Sequence, residues 1–190
     1  MRQYTSLWQR DKLVKEHTRI RLYNCFVWPV LTYNFGALGL PASEWALMDS
    51  FHRRQLRLVL GIHWPNTITN SKIYKRCNVL PLSIEACRAR WSLFGHHLRL
   101  PPSTPVHRAI VSYFDTEGLH GSCGKPKTTL PVALNQDLQL EGHHLPFNSL
   151  KDREDLRFFQ SAAADVYQWQ ELVNRVVAAY TKHHPLSDSL

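Results

Sequence analysis

The sequence contains no Asp-Asp pair, no Cys-x-x-Cys pair and no His-x-x-x-His pair. Nucleotidyl transfer needs clustered carboxylates to hold two divalent cations, and residues 1–100 contain only five acidic residues, all scattered. Polymerase or nuclease chemistry within these 190 residues is therefore not expected. Because a zinc site needs Cys or His ligands at close spacing, we predict no metal site and no cofactor.

Nucleophilic catalysis is not predicted either, since there is no Gly-x-Ser-x-Gly elbow and no cysteine lies in a catalytic motif. The wide spacing of the four cysteines favours reduced thiols over a disulfide framework. No apolar run approaches the roughly 18 residues that a membrane span needs. We therefore expect a soluble, intracellular protein of the nucleus or cytoplasm, not secreted, with no membrane partner and no evident small-molecule ligand.

Positive charge is unevenly distributed along the chain. The formal net charge is +8, and residues 1–100 contain fifteen Lys/Arg and five Asp/Glu, a net of +10. Residues 101–190 contain eight and ten, a net of −2. A positive field of this kind favours polyanion partners, of which nucleic acids are the most common.

The most informative stretch is residues 51–62, where three arginines and a histidine lie among aliphatic residues at helical spacing. This pattern predicts a helix with one buried face and one basic face. We expect the helix to run over residues 43–60, with Ser43 as its N-cap and Gly61 just after its end. Before it, residues 30–38 are nearly all apolar and predict either the buried half of a helix kinked at Pro29 or a buried strand.

A second amphipathic helix is predicted downstream, with Ser83 as its cap and Pro101 after its end. Its apolar stripe is Ile84, Cys87, Trp91, Phe94 and Leu98. A short basic helix, capped by Thr69 or Asn70, is predicted between the two long ones. We expect Trp64, Tyr74 and Trp91 to be core or connector residues rather than stacking platforms for bases.

Basic residues of these three helices suggest a single charged surface that contacts phosphates independently of sequence. The candidate nucleic-acid-binding residues are Arg53, Arg54, Arg57, Lys72, Lys75, Arg76, Arg88, Arg90 and Arg99. The alternative is that these side chains form ordinary solvated helix faces, in which case the chain is a helical scaffold or protein-interaction module.

Several short motifs of the chain occur in an order that resembles a known protein family. The motifs are Arg-Leu-Tyr-Asn at 21–24, Leu-Thr-Tyr-Asn-Phe-Gly at 31–36, Phe-His-Arg-Arg-Gln-Leu-Arg at 51–57, Leu-Gly-Ile-His-Trp-Pro at 60–65, Thr-Asn at 69–70, Pro-Leu-Ser at 81–83 and Arg-Ala-Arg-Trp-Ser-Leu-Phe-Gly-His-His-Leu-Arg at 88–99. Their order and spacing resemble the region after the polymerase palm in non-LTR (LINE-like) retrotransposon reverse transcriptases. Weaker similarity continues in Gly-Lys-Pro-Lys-Thr-Thr at 124–129 and in residues 164–173.

The resemblance implies a mainly α thumb and post-thumb segment that is not an enzyme by itself. Its partners would be template RNA, primer DNA and a palm whose catalytic aspartates would lie upstream of Met1. We expect a compact basic helical thumb-like domain over residues 1–102, a loop-rich linker over 103–150, a C-terminal helix or helix pair over 151–181 and a frayed tail over 182–190. A third possibility is a decayed remnant without function.

Overall fold

The structure is a computed structural model that describes residues 14–115, 129–141, 150 and 153–183. The predicted mainly α fold is confirmed, since the described residues form helices joined by turns, with no strand among them. They divide into two compact units. The first unit comprises residues 14–33 and 42–85, and the second comprises 34–41 and the described residues from 86 to 183.

The first unit begins with α1 (Glu16–Leu22), a π-helical turn (Tyr23–Val27) and α2 (Trp28–Leu31). Pro29 occupies the first turn of α2, where its missing N–H is tolerated. The expectation that residues 30–38 are buried is wrong for Val30 and Tyr33, which are among the most exposed apolar side chains of the structure. The segment is neither a strand nor a long helix.

Helix α3 (Ala42–Leu60) begins one residue before the predicted N-cap Ser43, which therefore lies inside the first turn, and its last residue is as predicted. It ends at Gly61, whose positive φ of 72° suits the residue that follows a helix. Helix α4 (Asn70–Cys77) begins after Thr69, whose hydroxyl accepts the Lys72 backbone N–H as predicted. The core between α1, α3 and α4 contains Tyr23, Leu56, Val59, Leu60, Ile73, Tyr74 and Cys77.

Helix α5 (Leu82–Leu98) buries every residue of its predicted apolar stripe. The division between the units falls within it, after Glu85. Ser83 does not cap this helix, because it lies inside the first turn and donates its hydroxyl to Asp49 Oδ2 at 2.6 Å. Asp49 Oδ1 also accepts the Ser83 backbone N–H at 3.2 Å. A carboxylate on α3 therefore satisfies the first turn of α5 in place of a local cap.

The second unit contains a 3₁₀ turn (Phe35–Ala37), most of α5, α6 (Pro105–Asp115), α7 (Leu130–Glu141), α8 (Arg153–Ala164) and α9 (Val166–His183). Helix α9 packs against α7 and α8, and α6 packs against α8. Its core contains an aromatic cluster of Trp91, Phe94, Phe159 and Trp169, with ring centroids 5.9–6.4 Å apart.

The aromatic cluster depends on a glycine of α5. A Cβ on Gly95 would lie 2.1 Å from Trp169 Nε1, so only glycine lets the indole lie directly against the helix backbone. The same Nε1 donates to the Trp91 carbonyl at 3.1 Å. This contact joins the motif at 88–99 to the later segment at 164–173.

The two units differ from the predicted domains. The proposed boundaries at 102 and 150 do not coincide with the division of the chain, and two helices, α6 and α7, lie within the stretch expected to be a loop-rich linker. Helix α7 contributes the buried residues Leu134 and Leu138 to the second unit. The predicted frayed tail is wrong for Lys182 and His183, which are the last residues of α9. Residues 124–128 of the motif at 124–129 and residues 184–190 lie outside the described residues. Among the helices that the structure describes, none combines the length and the apolar character required to span a bilayer.

We expect Gly95→Ala to destabilise the second unit by about 3 kcal/mol, the upper end for overpacking a core. The added methyl group would displace the Trp169 indole and break its hydrogen bond to Trp91. Urea unfolding followed by tryptophan fluorescence measures the change. Ser92→Ala, on the exposed side of the same helix, is the control and should shift stability by less than about 0.5 kcal/mol. Equal stability of the two variants would contradict this packing.

Candidate nucleic-acid interface

Six of the nine candidate residues lie in the first unit, on α3 and α4. Between Asp49 and Glu85 the chain contains these six cations and no acidic residue. Over its described residues the first unit has nine Lys/Arg and four Asp/Glu, a net of +5, whereas the second has eight and seven, a net of +1. Positive charge is therefore concentrated in the first unit.

Arg53 and Arg57 lie one helical turn apart on the side of α3 that meets α4. Arg57 donates to Asn70 Oδ1 at 2.8 Å, at the start of α4. Both guanidinium groups act on Tyr74 and favour its ionised form, but burial is the larger effect and raises the pKa of Tyr74 to about 12. These half-buried arginines therefore contribute to the packing of α3 on α4 as well as to the charge of the surface.

The outer face of α4 is cationic. Lys72, Lys75 and Arg76 stand at positions i, i+3 and i+4, so they are neighbours on one side of an eight-residue helix, and all three are exposed. Arg76 forms two hydrogen bonds with the Glu16 carboxylate of α1, at 2.7 and 2.6 Å. Lys72 and Lys75 are consequently the better-placed cations for a partner, together with the exposed Arg54 of α3.

Arg90 is a correction to the sequence prediction. It is only 4% exposed, and its Nε and Nη2 donate to the two carboxylate oxygens of Asp137 on α7 at 3.0 and 3.2 Å. Trp91 Nε1 donates to the same carboxylate at 3.0 Å. Burial raises the pKa of Asp137, while Arg90, Trp91 and Cys87 act in the opposite direction. Arg90 is therefore a structural residue of the second unit and not part of an exposed basic face.

The other two candidates on α5 also belong to the second unit. Arg88 is half-buried, and Arg99 is exposed but donates from Nη1 to the Ala163 carbonyl at 3.2 Å, near the end of α8. The structure thus brings together the residues of α3 and α4 and assigns those of α5 to another unit. The core position of Arg90 has a signal in the sequence, because it is three residues after Cys87 and four before Phe94, which are both on the apolar stripe.

Histidine 52 sits at the centre of an aromatic cluster of the first unit. The ring is completely buried, with its centroid 5.2 Å from Trp28, 5.8 Å from Tyr74 and 6.1 Å from Tyr23. Neither ring nitrogen has a hydrogen-bond partner among the described residues. Burial lowers the pKa of His52 to about 4, and the adjacent Arg53 charge acts in the same direction. The sequence placed this histidine with the arginines, but it packs as a neutral aromatic ring.

The described cysteines and histidines do not form a recognisable catalytic or metal centre. Burial raises the pKa of Cys77 to about 11 and also raises that of Cys87, so both thiols are protonated at neutral pH. Within the described ranges, no three His, Cys, Asp or Glu side chains converge on a point that could hold a metal ion. His143, His144 and His184 lie outside those ranges.

Trp64 is a connector residue, which is one of the two expected roles, and it is not part of the core. Tyr74 and Trp91 are buried as expected, but Trp64 is 91% exposed in the connection between α3 and α4. Sequence reasoning could not find this exposure, because the turn residues around Trp64 do not show which way the indole points.

The chain matches no protein-family model, no curated protein and no solved structure. Apart from the mainly α fold, what the motif resemblance implies about function, partners and compartment stays a prediction.

We expect Asp137→Asn to destabilise the second unit by about 3–5 kcal/mol, because it leaves the Arg90 charge buried without its counter-ion. Urea unfolding measures the loss. Asp115→Asn is the matched control, since Asp115 pairs with Arg153 at the surface and such pairs contribute only about 0–1 kcal/mol. A loss no larger than that of the control would show that the buried pair is not needed for stability.

Stability should also fall on acidification because of His52. Its pKa is lower in the folded chain, at about 4, than the roughly 6.5 of an unfolded histidine. The unfolded state therefore binds more protons between these values, so stability is lost as the pH falls through that window, by on the order of 3 kcal/mol. Urea unfolding of wild type and His52→Phe across the window measures this loss.

The His52→Phe variant should show a flatter pH dependence, because phenylalanine fills the aromatic cluster without titrating. His63→Gln, which changes an exposed histidine, should keep the full wild-type dependence. Parallel curves for wild type and His52→Phe would contradict a neutral buried His52.

Proposed function

We propose that this chain is a thumb and post-thumb segment of a non-LTR retrotransposon reverse transcriptase and that its first unit contacts the backbone of template RNA and primer DNA. The chemistry would be carried out by a palm in the parent polyprotein, and this segment would hold the substrate. The order of the motifs over residues 21–99 supports the proposal on the sequence side.

The single observation that carries the proposal is the cationic surface of α3 and α4. Lys72 and Lys75 project from one face of α4, Arg54 is exposed on α3, and the stretch from Ser50 to Ile84 contains no carboxylate to neutralise them. Exposed like charges on neighbouring turns of a short helix repel one another, whereas a phosphate backbone between them would relieve that repulsion. Such contacts release counter-ions and make binding salt-dependent.

Two of the stretches that carry the resemblance lie together in the second unit. The motif at 88–99 and the segment at 164–173 meet where Gly95 lies against Trp169. One packing contact therefore explains the glycine of the first stretch and the tryptophan of the second. Arg90 of the first motif has such a reason as well, in its pair with Asp137.

A second candidate function is a protein-interaction module, which the exposed apolar side chains of the first unit favour. Phe26, Val30 and Tyr33 recur at i, i+4 and i+7, and Leu47 and Phe51 are one turn apart on α3; all five are exposed. Contiguous exposed apolar surface is typical of interaction sites. The experiment below separates the two functions.

We expect the triple variant Arg54→Gln/Lys72→Gln/Lys75→Gln to lose affinity for an RNA/DNA hybrid and to show a weaker salt dependence. The slope of log affinity against log salt should fall by roughly 0.9 for each phosphate contact removed. Fluorescence anisotropy with a labelled hybrid at several salt concentrations measures both quantities.

The matched control is Arg108→Gln/Arg157→Gln/Lys182→Gln, which removes three exposed cations from the second unit. It changes the net charge equally, so it should retain most of the affinity if the first unit forms the contact. Equal losses in the two variants would indicate attraction by net charge alone. No binding by the wild-type chain at low salt would reject the nucleic-acid function and leave the protein-interaction module.

A further inference from the structure

Trp64 has a highly exposed side chain on a connection whose backbone is anchored on both sides. Among the tryptophans that the structure describes, Trp45, Trp91 and Trp169 are buried and Trp28 is half-buried, whereas Trp64 is 91% exposed. The indole therefore contributes little to the core of the first unit, and its apolar faces are available to a partner.

The connection that carries Trp64 is anchored on both sides. Ile62 precedes the tryptophan and Ile68 follows it, and both pack against the core of the first unit. The Ile62 backbone N–H donates to the Arg57 carbonyl at 2.9 Å, and Asn66 N–H donates to the His63 carbonyl at 2.9 Å. Because the backbone of this connection is held on both sides, little loop entropy is lost when Trp64 binds a partner.

The two ends of this connection lead directly to the cationic surface. The Arg57–Asn70 hydrogen bond joins the last turn of α3 to the first residue of α4, and Lys72 and Lys75 follow on the outer face of α4. A ligand suited to this arrangement has a flat apolar face for the indole and negative charges nearby for the lysines. An unpaired nucleotide has both features.

We propose that Trp64 is a stacking platform for an unpaired base and that the first unit therefore prefers single-stranded nucleic acid to duplex. This inference rests on the proposed nucleic-acid function and specifies its ligand. In a duplex each base is already stacked on its neighbours, so the indole gains a base partner only where the strand is unpaired. The chemistry is shared by RNA and DNA single strands.

The test compares Trp64→Ala and Trp64→Phe with wild type on labelled oligouridylate and oligothymidylate of roughly 16 nucleotides and on an RNA/DNA hybrid. Trp64→Ala should lose about 5- to 150-fold in affinity for the single strands, the change that corresponds to ~1–3 kcal/mol for one stacked base. Its affinity for the hybrid should be unchanged. Trp64→Phe should retain most of the single-strand affinity, because it keeps a π face.

Tyr167→Ala is the matched control, since Tyr167 is an exposed aromatic residue, 88% accessible, on α9 of the second unit. It should bind all three probes as wild type does. A second readout uses the wild-type chain itself. Acrylamide quenching of its tryptophan fluorescence should fall when a single strand binds, and Trp64→Phe should lack this protectable fraction.

The outcomes separate this inference from the proposed function. If Trp64→Ala behaves like Tyr167→Ala on single strands while the Arg54/Lys72/Lys75 variant loses affinity, stacking by Trp64 is wrong and backbone binding stands. An equal loss on single strands and hybrid would also overturn stacking, because it would show no preference for unpaired bases. If the wild-type chain binds none of the probes at low salt, both proposals are rejected.

Discussion

The first unit depends on the burial of one face of α3. That helix buries Leu56, Val59 and Leu60 against α1 and α4. Residues 51–62, which include this buried set, also contain three arginines. With 3.6 residues per turn, the buried set determines where each arginine points. Arg53 and Arg57 are directed towards α4, where burial is partial, and Arg54 is directed towards solvent.

Because of this constraint, the cations of α3 and α4 differ in their exposure and in whether they are held by a partner. Arg57 and Arg76 are each held by a partner, Asn70 and Glu16 respectively. Arg76 is exposed although it is paired, and Lys72, Lys75 and Arg54 are exposed as well. A nucleic-acid backbone would meet the latter group first, and the held arginines would stabilise the surface that presents them. Residues 50–84 contribute no acidic side chain to this surface, and Glu16 of α1 pairs with Arg76 there.

Charge has a different role in the second unit. The Arg90–Asp137 pair is almost completely buried, and Trp91 shares the carboxylate, so each polar group has a partner in a region of low dielectric. Forming such a pair requires the desolvation of both ions, and removing one partner is costly because it leaves the other charge buried. Gly95 constrains the packing by its lack of a side chain, because a Cβ at this position would overlap the Trp169 indole.

The sequence alone was sufficient for the helical character, the end of α3 and its C-terminal glycine, a cap at Thr69 or Asn70, and the apolar stripe of α5. These features are local, because they follow from spacing within one helix and from residues next to its ends. The excess charge of the first half could be counted in the same way. The expected burial of residues 30–38 failed for Val30 and Tyr33, since an apolar residue is buried only where another element covers it.

Tertiary structure decided which cations share a surface, which one is buried and which aromatic residue is exposed. Arg90 is buried against a carboxylate because Asp137 approaches from a helix 47 residues away along the chain. Ser83 likewise donates a hydrogen bond to Asp49 on α3 instead of capping α5. Ile62 and Ile68 flank Trp64 in the sequence and pack against the core of the first unit, whereas Trp64 is exposed. The burial of Arg90 and the hydrogen bond of Ser83 each require a partner distant in sequence, and periodicity within one segment carries no information about such partners.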